Sequence, residues 1–236
     1  MFGDAVTALE QAETLLGGVA TPSEEAYMYG LRGLCMFRLG RSDEALAAHR
    51  KAHDVRKASG DLEGRANSLN NLGMVAVAEK RFQEAEEAFG ESLALFCRLG
   101  NRPGAAMTLN NLGDLYLKQG RDALAELRLL EAHDLAEKLG YVAERVTTSA
   151  NLAEVYLLRG NHGEAHRLLE HCLRQAVRAG LRGVIPEIHA ARGRAYALSH
   201  DYAEAKMAYS RAVDLAEEAG REALVSELKT ELGALT

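Results

Sequence analysis

Three asparagines spaced forty residues apart, Asn71, Asn111 and Asn151, are the side chains whose type and spacing point most directly to chemistry. An asparagine amide has an acceptor and two donors, so it can bond both polar groups of a peptide unit without charge. Neighbouring helices lie roughly 8–10 Å apart, and an extended peptide advances roughly 3.3 Å per residue. One asparagine per repeat would meet a bound peptide at about every third residue, which predicts a peptide-binding surface.

The same asparagines also have a structural alternative. Asparagine is a mediocre helix former, so asparagines at the middle of predicted helices need a reason to be there. They could instead bond the neighbouring helix or a turn, which would make them part of the scaffold. The sequence leaves both interpretations open.

A histidine-rich segment is the place where metal chemistry could be sought. His162, His166 and Glu170 follow one another at four-residue intervals, so a helix would bring them to one face. Their order differs from the His-Glu-x-x-His pattern of zinc proteases. Phe82 and Tyr202 stand at multiples of forty residues from His162, which indicates a packing position. We expect no metal site, no cofactor and no catalytic set, and therefore no enzyme.

A forty-residue repeat underlies all these spacings. Small residues recur without insertion along three ladders: Gly33, Gly73, Gly113, Ala153, Gly193 and Gly233; Ala5, Ala45, Ala85, Ala125, Ala165 and Ala205; and Gly60, Gly100, Gly140, Gly180 and Gly220. A small residue at a fixed place usually marks a close helix crossing, and a glycine after a helix supplies a left-handed cap. This self-similarity indicates a repeat array.

Each repeat predicts two helices. From Leu62 to Glu79, apolar or small residues recur every three or four positions, which is one helical face. Lys80-Arg81 then turns the chain, and a second helix runs from Phe82 to Leu99. No stretch shows sustained alternation with period two, and the whole chain has three prolines. The predicted fold class is all-α, built from helix pairs.

The pattern resembles the tetratricopeptide repeat in its long, forty-residue form. Leu72-Gly73 matches the small-residue signature, Tyr116 follows Gly113 by three residues, and Ala85 precedes Phe89 as in that family. The resemblance implies a right-handed superhelical solenoid of about eleven helices in antiparallel pairs. Similar arrays occur in kinesin light chains, in polarity adaptors that regulate G proteins, and in sensor regions of bacterial transcription regulators.

The resemblance further implies that the first helix of each pair lines a concave binding face. The predicted contacts with a partner are Arg38, Asn67, Asn70, Asn71, Met74, Asn110, Asn111, Asp114, Lys118, Asn151, Glu154 and Arg194. Spacings of three and four keep them on one face within each helix. The version of the family that clamps a terminal carboxylate is not expected, because Met74, Asp114 and Glu154 stand where it needs asparagine.

The unbroken period predicts a single solenoid over residues 1–236. We expect a half-repeat helix in residues 1–20, with Phe2 to Leu16 amphipathic, and a capping helix in residues 222–236. The full repeats are predicted at residues 22–60, 61–100, 101–140, 141–180 and 181–220. Arg32 and Arg192 replace Leu72 in the outer repeats, so the central three repeats are expected to carry the binding surface. A chain cut from a longer array would also fit.

Composition argues against several kinds of partner. A net charge of −6 and a pI near 5.8 argue against direct nucleic-acid binding. No apolar run reaches the ~18 residues of a membrane span, and no signal peptide is visible at the start. Three cysteines, Cys35, Cys97 and Cys172, fit a reducing cytoplasm. Each is expected to be a small buried side chain.

The predicted function is protein–protein interaction, with a partner peptide or helix held in the concave groove. One alternative is a sensor region of a larger regulator, in which a small molecule or signalling peptide binds the groove. Another is self-association, as a homodimer, through the unpaired terminal helices.

Overall fold

Paired helices make up the described structure. The computed structural model describes residues 7–9, 11 and 20–235. Eleven α-helices lie within residues 20–235: α1 Pro22–Arg38, α2 Ser42–Ser59, α3 Leu62–Ala78, α4 Phe82–Leu99, α5 Arg102–Lys118, α6 Asp122–Leu139, α7 Val142–Leu158, α8 His162–Arg178, α9 Ile185–Leu198, α10 Tyr202–Glu218 and α11 Glu222–Gly233. Odd-numbered helices are the predicted first helices and even-numbered helices the second. The all-α prediction is confirmed.

The predicted N-terminal helix, Phe2 to Leu16, lies largely outside the described residues. Thr7, Ala8 and Leu9 are helical, and Leu9 packs against a cluster that contains Met36 and Leu46. A short 3₁₀ turn, Arg182–Val184, precedes α9.

Two compact units divide the chain, residues 1–115 and residues 116–236, which we call the N-terminal and the C-terminal unit. The single solenoid over the whole length stays a prediction.

Glycines on the first helices let large side chains of the second helices approach the backbone. A Cβ atom on Gly73 would lie 2.5 Å from the Phe89 ring, and one on Gly33 would lie 2.6 Å from the His49 ring. Gly193 has the same relation to Tyr209, at 2.8 Å. At these three positions the first ladder of small residues marks close contacts between the two helices of a pair, as predicted.

The ladder that ends each repeat supplies left-handed caps. Gly60, Gly100 and Gly140 follow α2, α4 and α6 with φ of 76°, 65° and 69°. Glycine reaches this region without a Cβ clash. The Gly100 N–H donates to the carbonyl of Cys97 at 3.1 Å, so the cap satisfies a helix-end carbonyl while the chain turns.

The cysteines differ from one another. Cys35 and Cys172 are buried as predicted, but Cys97 is exposed. The prediction is wrong for Cys97 because its position faces solvent on the second helices, where Lys57 and Glu137 stand in other repeats.

No helix within the described residues is long and apolar enough to cross a membrane.

Candidate functional site

Two first helices of the N-terminal unit present matching faces. Positions three, four and seven residues apart share one side of a helix, and the positions on α1 recur forty residues later on α3. We call this surface the first-helix face. It consists of Tyr27, Leu31, Leu34 and Arg38 on α1 and Asn67, Asn71, Met74 and Ala78 on α3.

Large apolar side chains are exposed on the first-helix face. Tyr27 is 61% exposed, Leu34 44% and Met74 40%. Neighbouring exposed apolar side chains mark interaction surfaces more often than isolated ones do. Sequence reasoning singled out Met74 but missed Tyr27 and Leu34, although Leu34 stands forty residues before Met74.

Asn71 has the environment that the peptide-binding hypothesis requires. It is half-buried on the face, three residues before exposed Met74, and its amide makes no hydrogen bond to another described residue. Asn67, one turn earlier, donates from Nδ2 to the carbonyl of Glu63 at 3.1 Å within its own helix. Because Asn71 makes no hydrogen bond to another described residue, the donors and the acceptor of its amide remain available. Arg38, at the end of α1, is exposed.

Asn70, next to Asn71, has an internal role. Its side chain is 1% exposed. Asn111 on α5 donates from Nδ2 to Asn70 Oδ1 at 2.9 Å, and Asn70 Nδ2 lies 3.8 Å from Met74 Sδ. The two amides thus join the first helices of consecutive repeats, and the Asn70 amide also contacts the Met74 sulfur. This is the inter-helix bond that the sequence left open as an alternative.

Other predicted contacts on α5 vary in depth. Asn110 is 7% exposed, Asp114 is half-buried, and Lys118 is exposed at the end of the helix. A partner could reach Lys118 directly, whereas Asn110 would need its neighbours to move.

The predicted charged residues of the C-terminal unit bind one another. Arg194 on α9 donates from Nη2 to Glu154 Oε2 on α7 at 2.9 Å. Its Nη1 lies 3.4 Å from Glu231 Oε1 on α11. Burial, together with Glu231, raises the pKa of Tyr209 above its ordinary value. Asn151 is half-buried on α7. The sequence did not single out Glu231, whose place on a first helix was the only signal.

The histidine segment is a packing cluster. The His166 ring lies 4.5 Å from the Tyr196 ring, centroid to centroid, and His162 Nδ1 lies 3.1 Å from Ser199 Oγ. Burial, with the nearby Arg192 guanidinium, lowers the pKa of His166. No group of three or more histidine, cysteine or acidic side chains among the described residues is arranged to hold a metal ion.

Known proteins resemble this chain in sequence and in fold. Models described as Tetratricopeptide repeat match residues 24–98, 65–138 and 104–178, and residues 186–218. Comparison with curated proteins gave no match.

Solved structures of other proteins share the fold. The apo form of RapI superposes with a TM-score of 0.74 at 16% identity, over 99% of this chain and 91% of that one. BtubC from P. vanneervenii has a TM-score of 0.65 at 26% identity, over 77% of this chain and 75% of that one. A Rap protein complexed with competence and sporulation factor has a TM-score of 0.75 at 12% identity, over 99% and 70%.

The family models cover residues 24–178 without a gap and resume at residue 186. With the glycine contacts and the paired helices, they establish that the chain belongs to the tetratricopeptide repeat family.

Proposed function

We propose that this chain is a non-enzymatic interaction module whose first-helix face holds an extended segment of a partner protein. The observation that carries the proposal is the amide of Asn71, which is half-buried, makes no hydrogen bond to another described residue, and shares a face with exposed Leu34 and Met74.

The chemistry follows from these three side chains. The Asn71 amide bonds the N–H and C=O of one peptide unit of the partner. Leu34 and Met74 cover apolar side chains of the same segment. Full burial of such a side chain is worth roughly 1.5–3 kcal/mol, so covering these partly exposed ones adds on the order of 2 kcal/mol. Micromolar affinity needs about 8 kcal/mol, so further contacts along the segment must contribute.

The other predicted contacts, apart from the buried Asn70, extend the proposal. They are Arg38 and Asn67 in the N-terminal unit, Asn110, Asn111 and Asp114 on α5, and Lys118, Asn151, Glu154 and Arg194 in the C-terminal unit. Because Arg194 already pairs with Glu154, contacts of the C-terminal unit with a partner need not be strongly charged. We place the interaction in the cytoplasm, without direct nucleic-acid contact.

A second candidate is a peptide-sensing region of a larger regulator. The fold similarity to a Rap protein complexed with competence and sporulation factor favours it. Self-association through the terminal helices is a third candidate, and sedimentation velocity over a range of protein concentrations tests it.

Selection from a random peptide library gives the direct test. Peptides that bind the full chain are titrated against Asn71→Ala and Met74→Glu by calorimetry. Matched controls are Asn161→Ala, at an exposed loop position, and Met207→Glu, which alters a methionine that is 59% exposed on α10. The proposal predicts about tenfold weaker binding for the first two variants. Equal loss in the control variants, or no loss in any, would contradict it.

A further inference from the structure

The N-terminal unit has a cleft between two of its second helices, separate from the first-helix face. It has a volume of about 250 Å³ and lies between α2 and α4, with α3 beneath. Leu46, Leu69, Leu72, Ala76 and Ala88 form its apolar walls, and Glu84, Glu87, Glu91 and Arg50 stand around its rim. Pockets for drug-sized ligands usually measure roughly 300–1,000 Å³, so this cleft suits one side chain better than a metabolite.

The cleft exists because Ala76 replaces a tyrosine. Tyr116, Tyr156 and Tyr196 occupy the equivalent position in the three following repeats. In the repeat pair 120 residues later, the Tyr196 ring lies against His166, 4.5 Å between centroids, with the Arg192 guanidinium 5.9 Å from the ring. His166 and Arg192 correspond to Leu46 and Leu72, which line the cleft. The cleft is therefore the place that an aromatic ring fills elsewhere in the chain.

The rim carries a negative group that has no cationic partner. Glu84 pairs with Arg81 at 2.7 Å, and Glu91 pairs with Arg65. Glu87 accepts a hydrogen bond from the neutral amide of Gln83 at 3.1 Å and has no salt bridge to any described residue. Its exposed carboxylate lies on the cleft rim.

The other repeats also show which chemistry accompanies the ring. The Arg121 guanidinium lies 4.5 Å from the centroid of the Tyr116 ring, so a ring beside a cation is the local arrangement. We propose that this cleft binds a partner segment with a tyrosine or phenylalanine side chain flanked by lysine or arginine. The ring occupies the space above Ala76, between Leu46 and Leu72, and a flanking cation pairs with Glu87.

The test uses three short peptides as probes and the full chain labelled with ¹⁵N. The first probe is Ac-Lys-Arg-Tyr-Arg-Lys-NH₂, the second has alanine in place of tyrosine, and the third has glutamate in place of each basic residue. Millimolar additions are followed through backbone amide chemical shifts. We expect the first probe to shift the amides of Leu46, Leu72 and Ala76, and the other two to leave them unchanged.

Two test substitutions, each with a matched control, separate the contribution of the ring from that of the charge. Ala76→Tyr fills the cleft with the side chain that later repeats carry, so it should weaken the first probe about tenfold or more while keeping the helical circular dichroism spectrum. Ala94→Tyr, at an exposed position of α4 outside the cleft, is the matched control and should bind as wild type. Glu87→Lys should weaken binding about threefold, and Glu137→Lys should not.

Several results would overturn the proposal. They are an absence of shifts at the cleft with the first probe, equal shifts with the alanine probe, and unchanged binding by a folded Ala76→Tyr variant. If Ala76→Tyr does not fold, two other results decide whether the proposal holds. They are the comparison of the tyrosine probe with the alanine probe, and the binding of the first probe by Glu87→Lys. Met74 lies on the first-helix face, so the Met74→Glu variant should bind the first probe as wild type does. The proposal for the cleft and the proposed function can therefore fail independently of each other.

Discussion

Asn111 and Asn70, 41 residues apart on two first helices, are joined by a hydrogen bond of 2.9 Å between their side-chain amides. The bond ties consecutive repeats of the N-terminal unit together. Asn71, one position further along α3, has no such bond to another described residue. Adjacent asparagines in one helix therefore divide two roles, a structural one for Asn70 and the proposed partner contact for Asn71.

Removing the donor of this bond should destabilise the protein. Asn111→Ala leaves the buried Asn70 oxygen without that donor, which should lower the free energy of unfolding by about 1–3 kcal/mol. Asn71→Ala, the matched control on the first-helix face, should change it by less than about 0.5 kcal/mol. Urea unfolding followed by circular dichroism measures both. Equal effects of the two substitutions would contradict the division of roles.

The contact between Gly73 and Phe89 should behave as a coupled pair. Gly73→Ala places a Cβ 2.5 Å from the Phe89 ring and should cost about 1–3 kcal/mol of stability. The fourth repeat pairs Ala153 with Leu169 at the equivalent positions, both fully buried. Gly73→Ala combined with Phe89→Leu should therefore recover part of the loss. A double-mutant cycle with no coupling would show that the ring does not meet this backbone.

We expect the free energy of unfolding to decrease as the pH is lowered, because of His49. Burial, with a smaller effect of the Arg56 charge, lowers the pKa of His49 to about 4 from an ordinary value of 6.5. Between these values the unfolded chain binds more protons than the folded one, so stability is lost as pH falls from 6.5 towards 4. The slope is about 1.4 kcal/mol per pH unit for this group.

A leucine at position 49 isolates this contribution. Leu129 and Leu169 occupy the equivalent position in other repeats. Burial also lowers the pKa of His189 to about 4, so the wild type has a second source of the same sign. Urea unfolding at several pH values gives the free energy of unfolding of wild type and of His49→Leu. The pH dependence of the difference between them should correspond to the uptake of one proton on unfolding. Parallel curves for the two proteins would refute the assignment.

Lys80 stands where three other repeats have glycine. Its φ is 58°, in the left-handed region, whereas Gly40, Gly120 and Gly160 occupy the equivalent positions with φ of 74°, 68° and 74°. A side chain in this region costs roughly 1–2 kcal/mol, partly offset by the extra freedom of an unfolded glycine. Lys80→Gly should raise the free energy of unfolding by up to about 1 kcal/mol. Lys57→Gly, inside α2, is the opposite control and should lower it.

The fold could be predicted because its signals repeat with one period. Gly73 meets Phe89 and Gly193 meets Tyr209 in the same way, so each repeat confirms the phase of the others. A helix pair is also a local structure, whose two partners are close in sequence.

The site could be predicted only in part, because its details depend on neighbours outside one repeat. Asn70 and Asn71 differ by about 100° around the helix axis, and sequence did not show which one meets α5. The pairing of Arg194 with Glu154 and Glu231 requires three first helices to be placed together. The only sign of the cleft in the sequence is an alanine, Ala76, where later repeats have tyrosine. Whether this change leaves a cleft depends on the neighbouring Leu46 and Leu72.

Photo-crosslinking in the source cells tests whether the first-helix face binds a partner protein. The full chain is produced with p-benzoylphenylalanine at position 34 or 74 on the first-helix face, and at position 207 on α10 as the exposed control. We expect the same crosslinked partner protein from positions 34 and 74 and none from position 207. The partner's contact peptide should be extended in structure and displaced by the selected library peptides. Crosslinks from position 207 alone, or from none of the three, would contradict a partner-binding role for the first-helix face.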